Sequence, residues 1–227
     1  MEEKELFDDW PERYDDWFKT PVGKLVLETE GKLVMDFMQP KSGEKIFDAG
    51  CGTGVFTLDF LATGANVVGL DISAPMLKAA VKKSSRYNFS AVLGDMVRLP
   101  FKDNTFDKTA SITALEFIDN GRGAVNELFR VTRPGGWVVV ATLNSLSPWA
   151  SRRKAKTERG EQHVLQDAFF RSPSEILGYI PFKGIAKTVV HFQKDEQPDR
   201  AFDIEKAGQS KDLKTGAFVA VKWQKPV

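Results

Sequence analysis

Asp48-Ala49-Gly50-Cys51-Gly52-Thr53-Gly54 is the stretch on which the reading of this chain turns. It begins inside a short apolar run, Ile46 to Ala49, of the length and texture of a buried strand, and it leads into a helical stretch from Val55 to about Thr63. Glycines between a strand and a helix let the backbone turn sharply and approach a ligand closely, while the helix start offers unpaired N–H donors. A nucleotide-like ligand is implied. The dinucleotide fingerprint spaces its glycines G-x-G-x-x-G. Here the third glycine, Gly54, comes one residue early. Asp48 also puts a carboxylate where pyrophosphate would lie, repelling that group and favouring an ammonium or sulfonium. Both features argue against NAD.

Outward from the loop, strands and helices alternate. Ala65 to Leu70 reads as a second strand, Ala74 to Ser85 as a helix with Ser73 as N-cap and Pro75 in its first turn, and Phe89 to Leu93 as a third strand. Phe106 to Thr113, a helix over Gly123 to Val131, and the very apolar Trp137 to Leu143 continue the pattern. Alternation at this spacing predicts an α/β fold: a doubly wound, Rossmann-like parallel sheet with helices on both faces. Before the core, Val22, Val26, Leu33 and Phe37 mark a leading helix, interrupted by Thr29 and stopped by Pro40 and Gly43. After Asn144 the chain becomes polar and basic, which reads as an insert over the sheet with Arg152, Arg153, Lys154, Lys156 and Arg159 close together. A short helix at Pro173 to Tyr179 precedes two strands, Ile185 to Phe192 and Ala217 to Trp223, expected to pair as a hairpin. One domain is expected: an N-terminal helical lid over 1–40, a cofactor-binding core over 41–144, a substrate-side insert over 145–172, and a C-terminal helix and hairpin over 173–227.

Composition excludes several classes. The chain has 227 residues, 42% hydrophobic and 28% charged, which matches an ordinary globular protein rather than a disordered or fibrous one. Lys and Arg total 32 against 31 for Asp and Glu, so a net charge of +1 provides no field for nucleic acid or anionic membrane, and a nucleic-acid partner is not expected. A single cysteine, Cys51, allows no intrachain disulfide, and the acid-rich first twenty residues lack a secretory apolar core, which points to the cytoplasm. No apolar run approaches the roughly 20 residues of a membrane helix. The two histidines, His163 and His191, show no metal-ligand spacing, and no metal is expected. The sequence leaves the oligomeric state open.

Two further acids follow the glycine loop. Asp71 ends the second strand at the distance where such folds hold ribose hydroxyls, and Gly94-Asp95-Met96 ends the third along the same sheet edge. With this glycine loop and these acids, the chain resembles the class I S-adenosylmethionine-dependent methyltransferases, in particular the small-molecule group of the ubiquinone/menaquinone and biotin pathways. The resemblance runs from about Ile46 to Leu143. It rests on the glycine loop, Gly69-Leu70-Asp71-Ile72-Ser73 with Met76, Gly94-Asp95-Met96 leading to Leu99-Pro100-Phe101 and Phe106-Asp107, and Leu128 to Gly136. It implies a seven-stranded sheet of order 3-2-1-4-5-7-6 with strand 7 antiparallel, and S-adenosylmethionine as cofactor, with S-adenosylhomocysteine as product. It implies further that Asp48, Gly50, Cys51, Gly52 and Gly54 face the methionine part, Asp71 the ribose, Ile72 the adenine face, and Asp95 with the Met96 amide the adenine edge. Met76 and Thr113 complete the cofactor set, with Tyr14 and Trp17 from the lid. The Arg133-Pro134-Gly135-Gly136 turn is expected to be structural.

The implied chemistry is in-line transfer of the methyl group to a small-molecule acceptor, for which a dry, aligned pocket supplies much of the acceleration and a base is optional. The best-placed base is Glu116, just past the fourth strand, followed by His163, Tyr14 and His191. Tyr14, Trp17 and Phe18 suit a lid that excludes water. The basic cluster suits either an anionic acceptor or a solvated helix face. Alternatives are a nucleic-acid methyltransferase and a non-catalytic S-adenosylmethionine binder. The acceptor, and whether it receives the methyl group on O, N, C or S, stays open.

Overall fold

The computed structural model describes residues 11–161 and 165–227. His163 and Trp10 lie outside the described residues. Helix α1 spans Pro11–Trp17 and α2 Pro21–Met38; they are followed by β1 Lys45–Ala49, α3 Thr57–Ala62, β2 Asn66–Asp71, α4 Ala74–Lys83 and β3 Phe89–Leu93. Then come β4 Phe106–Ile112, a 3-10 turn at Leu115–Phe117, α5 Gly121–Val131, β5 Thr132–Leu143, α6 Pro148–Glu158, α7 Pro173–Leu177, β6 Gly184–Val189, α8 Pro198–Ser210 and β7 Phe218–Gln224. The seven strands form one sheet of order β3-β2-β1-β4-β5-β7-β6, the order that the resemblance implied. β1 to β5 pair in parallel, and β7 runs antiparallel to both β5 and β6.

Strand pleating divides the core between two faces, since successive side chains point to opposite sides. Ile46 and Val139 join Val26, Phe37, Phe60 and Phe218 under α2, α3 and α8. Phe47, Val138 and Val140 join Leu128, Ile176 and Trp223 under α5 and α7. Helix starts are local: the side chains of Thr20, Ser73, Ser147 and Ser172 accept bonds from Gly23, Met76, Ala150 and Glu175 N–H, each just before a proline at the first or second helical position.

The structure corrects several expectations. The two C-terminal strands do pair, but the 13-residue α8 lies between them in place of a simple connection. Its buried face is Ala201, Glu205 and Gly208, while Phe202 is exposed, so it shows no apolar stripe to read. The insert after Asn144 contains the regular helix α6, with only Trp149 and Ala150 buried. β5 begins five residues earlier than expected, at Thr132, and takes in the Arg133–Gly136 segment through a register shift opposite Phe106 and Lys108. In α2 it is Glu30, not Thr29, that breaks the buried stripe. Among the described residues no helix is long and apolar enough to cross a membrane.

Candidate functional site

The C-terminal ends of β1, β2, β3 and β4 open into one cavity of about 440 Å3, reaching from the glycine loop to α2 and α6. At its first end the loop is pinned to β2: the N–H groups of Gly50 and Cys51 donate to Leu70 O at 2.7 and 3.0 Å. Gly50, Gly52 and Gly54 have φ of 73°, 54° and 81°, the left-handed region that glycine enters without strain. At Gly50 there is a second requirement, since a Cβ there would lie 2.3 Å from Ala114 Cβ. A Cβ on Gly52 would meet nothing within 4 Å, so that backbone faces open space.

Asp71 ties the loop together. One carboxylate oxygen accepts the Gly52 N–H at 2.8 Å and the other the Ser73 N–H at 2.9 Å. Burial raises its pKa while these bonds oppose the rise. Asp48 is 2% exposed; its Oδ2 accepts from Thr57 Oγ1 at 2.6 Å, and its Oδ1 is buried without a partner. Burial, the Thr57 bond working against it, and the neighbouring Asp71 leave its pKa at about 6. An ionised, half-satisfied carboxylate in an apolar site calls for a cationic donor. Ile72, Met76, Asp95 and Met96 continue the wall, Asp95 being the exposed one, with its Oδ1 accepting the Val97 N–H at 2.9 Å. Cys51 turns its sulfur toward Gly69, where a Cβ would sit 2.7 Å from it, and burial pushes its thiol pKa well up. That sulfur packs and does not react.

Helix α1 closes the cavity from above. Asp15 accepts from Thr53 Oγ1 at 2.7 Å and pairs with Lys83 Nζ at 2.6 Å, latching α1 to the glycine loop and to α4. Tyr14 and Trp17 line the cavity, and both rings meet Phe18 edge-on at 5.1 and 4.8 Å. Tyr14 Oη lies 3.3 Å from Thr113 Oγ1. Thr113 holds φ at 49°, a strained conformation for a β-branched residue, of the kind that gathers at functional sites.

At the far end Glu116 is 2% exposed on the 3-10 turn, not a solvated loop acid. Its carboxylate accepts from Thr142 Oγ1 at 2.7 Å. Burial raises its pKa to about 7 against the pull of Thr142, Arg153 and Arg171. Arg171, 4% exposed, donates to the carbonyls of Leu115, Ile118 and Asp119 and so fixes the turn that carries Glu116. Of the other base candidates, Tyr14 is in the cavity. His191 is not: its Nε2 lies 3.1 Å from Thr188 O, and its ring packs on Gly208. Residues the sequence reading missed complete the site, namely Asp15, Glu30 and Trp149, and of the basic cluster it singled out only Arg153 lines the cavity. A glutamate at helical spacing within Val26, Leu33, Val34 and Phe37 was the available signal for Glu30. Among the described residues no group of three or more His, Cys, Asp or Glu could hold a metal.

Residues 47–140 match the family described as "Methyltransferase domain". A malonyl-[acyl-carrier protein] O-methyltransferase of Pectobacterium atrosepticum is 38% identical over 115 residues, 51% of this chain and 45% of that one. A demethylmenaquinone methyltransferase of Streptomyces avermitilis is 35% identical over 156 residues, 67% of this chain and 64% of that one. The chain spans about half the length of the curated relatives it matches. A solved structure from Thermotoga maritima, described as a SAM-dependent methyltransferase and possible histamine N-methyltransferase, superposes with a TM-score of 0.71 over 98% of this chain and 99% of that one at 21% identity, a likeness of fold. Residues 47–140, which run from β1 into β5 and hold the glycine loop, thus match a methyltransferase domain, and the sheet order and the loop's geometry agree with that match.

Proposed function

We propose that the chain transfers a methyl group from S-adenosylmethionine to a small-molecule acceptor. The observation that carries this is the unpartnered, buried Oδ1 of Asp48 beside the open face of Gly52, a site shaped for a cationic amino-acid group. Asp48 and the Gly50 to Gly54 backbone would hold the methionine part, with Cys51 contributing its main chain. Asp71 would take the ribose hydroxyls, Ile72 and Met76 the adenine face, and Asp95 with Met96 its edge. Thr113, Tyr14 and Trp17 would close over the sulfur end, α1 acting as the lid that keeps water out.

When bound, S-adenosylmethionine supplies an electrophilic methyl carbon whose bond to sulfur breaks as the acceptor's lone pair attacks, the bonding pair staying on sulfur. This chain's part is alignment, dryness and a place for the acceptor's proton. Glu116 takes that proton: it is in the cavity, it is held by Thr142 and by the Arg171-fixed turn, and its pKa of about 7 suits a base at neutral pH. The test uses S-adenosylmethionine with a labelled methyl group and a panel of small amines, phenols and carboxylic acids. Label reaching an acceptor, with a loss of about a hundredfold or more in Glu116→Gln, is expected. Cofactor binding with no transfer across the panel would leave a non-catalytic binder and overturn the enzyme reading.

A further inference from the structure

The acceptor end of the cavity has an unusual polar makeup. Glu30 enters it from α2, 6% exposed, and no described residue donates it a hydrogen bond. Glu116 enters from the turn after β4, near enough that its negative charge adds to the burial that raises Glu30's pKa, and both carboxylates add to the burial that raises Tyr14's. Among the described residues one cation acts on both: the guanidinium of half-buried Arg153 on α6, its Cζ 5.7 and 5.5 Å from the ring centroids of Trp149 and Phe170. Arg171 is turned to the carbonyls of the 3-10 turn, Asp15 to Lys83, and Arg13 and Lys194 are exposed at the mouth. Phe117, Ile118, Leu143 and Trp149 line the same cavity.

Extending the methyl-transfer reading above, on which this rests, we infer that the acceptor is a small amine with an apolar body, its nitrogen seated against the carboxylates of Glu30 and Glu116. Two carboxylates in an apolar pocket require hydrogen-bond donors, and a carboxylate offers none of its own when ionised. An anionic acceptor would bring a further negative charge to a place where, among the described residues, Arg153 alone acts on both carboxylates. A hydroxyl brings a single hydrogen, enough for one carboxylate. A neutral amine brings two, one for each carboxylate, and keeps its lone pair free for the attack. The proton balance closes: the nitrogen lone pair forms the bond to the methyl carbon, the carbon–sulfur pair leaves with sulfur, and the proton released by the methylated nitrogen goes to Glu116.

The basic cluster of α6 fits the same view. Arg152 pairs with Asp195 at 2.9 Å, and Arg159 with Glu161 at 2.8 Å, both outside the cavity, so the cluster does not gather on an anion. Arg153 is the member that lines the site, and it faces two carboxylates.

The experiment is calorimetric titration of the protein saturated with S-adenosylhomocysteine, using three probes of one shape: phenethylamine, 2-phenylethanol and phenylacetate. Phenethylamine is expected to bind about tenfold or more tighter than 2-phenylethanol, the scale of one charge-assisted hydrogen bond, with phenylacetate weakest. Glu30→Gln is expected to cut that preference by about tenfold with S-adenosylhomocysteine affinity unchanged. Equal binding of amine and alcohol, tighter phenylacetate, or no amine binding overturns the inference. Failure to bind S-adenosylhomocysteine at the outset sinks the methyl-transfer reading instead, so the two failures are distinguishable.

Discussion

At one end of the cavity the polar groups come from the tips of three neighbouring strands, Asp48, Asp71 and Asp95, each fixed by main-chain pairing a few residues away. At the other end Tyr14, Glu30, Glu116 and Arg153 converge from α1, α2, the 3-10 turn and α6, elements that only the whole fold brings together. The first end is therefore a property of a short sequence segment and of sheet geometry, where doubly wound folds bind ligands. The second is a property of packing. Perturbing them should produce separable failures.

The largest effect is expected at the loop. Gly50→Val adds a β-branched side chain at φ 73° and drives it into Ala114, which should destabilise the fold by roughly 3 kcal/mol and abolish S-adenosylhomocysteine binding, measured by thermal unfolding and calorimetry. Next comes Glu116→Gln, expected to lower kcat about 100- to 1,000-fold while leaving S-adenosylhomocysteine affinity unchanged. Its pH profile sharpens the contrast. Burial raises the Glu116 carboxylate to about 7, and only its ionised form accepts a proton, so the wild-type rate should rise from pH 6 to pH 8 and level off, a limb the variant loses. Loss of cofactor binding in Glu116→Gln would show that the two ends are not separable.

Asp15→Ala removes the latch between α1 and the loop. Its partly exposed pair with Lys83 and its bond to Thr53 together suggest about 1 kcal/mol, read as a roughly fivefold weaker S-adenosylhomocysteine affinity through faster dissociation. The smallest effect is expected from Arg152→Glu combined with Lys156→Glu. Both lie on the exposed face of α6, and acceptor KM should change less than about twofold. A larger change would return the basic cluster to the acceptor site.

The contrast also explains what the chain revealed before it was folded. The strands of the parallel core and the Ser73 cap were readable because each is written in local periodicity and turn chemistry, whereas the strand order followed from the family resemblance. Asp48, Gly50, Cys51, Gly52 and residues 71–72 and 94–96 were readable as cavity positions because strand ends share one sheet edge, whereas Gly54 lies outside the lining, packed against Ala80. Glu116 was found by its place after β4, yet its burial was not, because the side chains that cover it belong to distant elements. Glu30 sits on the apolar stripe of α2, but its burial was not legible because the elements that cover it are distant in sequence. Helix α8 was missed because small and polar residues form its inner face, which no hydrophobic pattern reports.

The central claim, a cationic amino-acid and nucleoside site at the glycine loop, is tested most directly by calorimetric titration with S-adenosylhomocysteine beside NAD, in the wild type and in Asp71→Ala. The account predicts tight S-adenosylhomocysteine binding, lost in the variant along with the Asp71 bonds to Gly52 and Ser73, and no binding of NAD. Absence of S-adenosylhomocysteine binding in the folded wild type, or a preference for NAD, would contradict it.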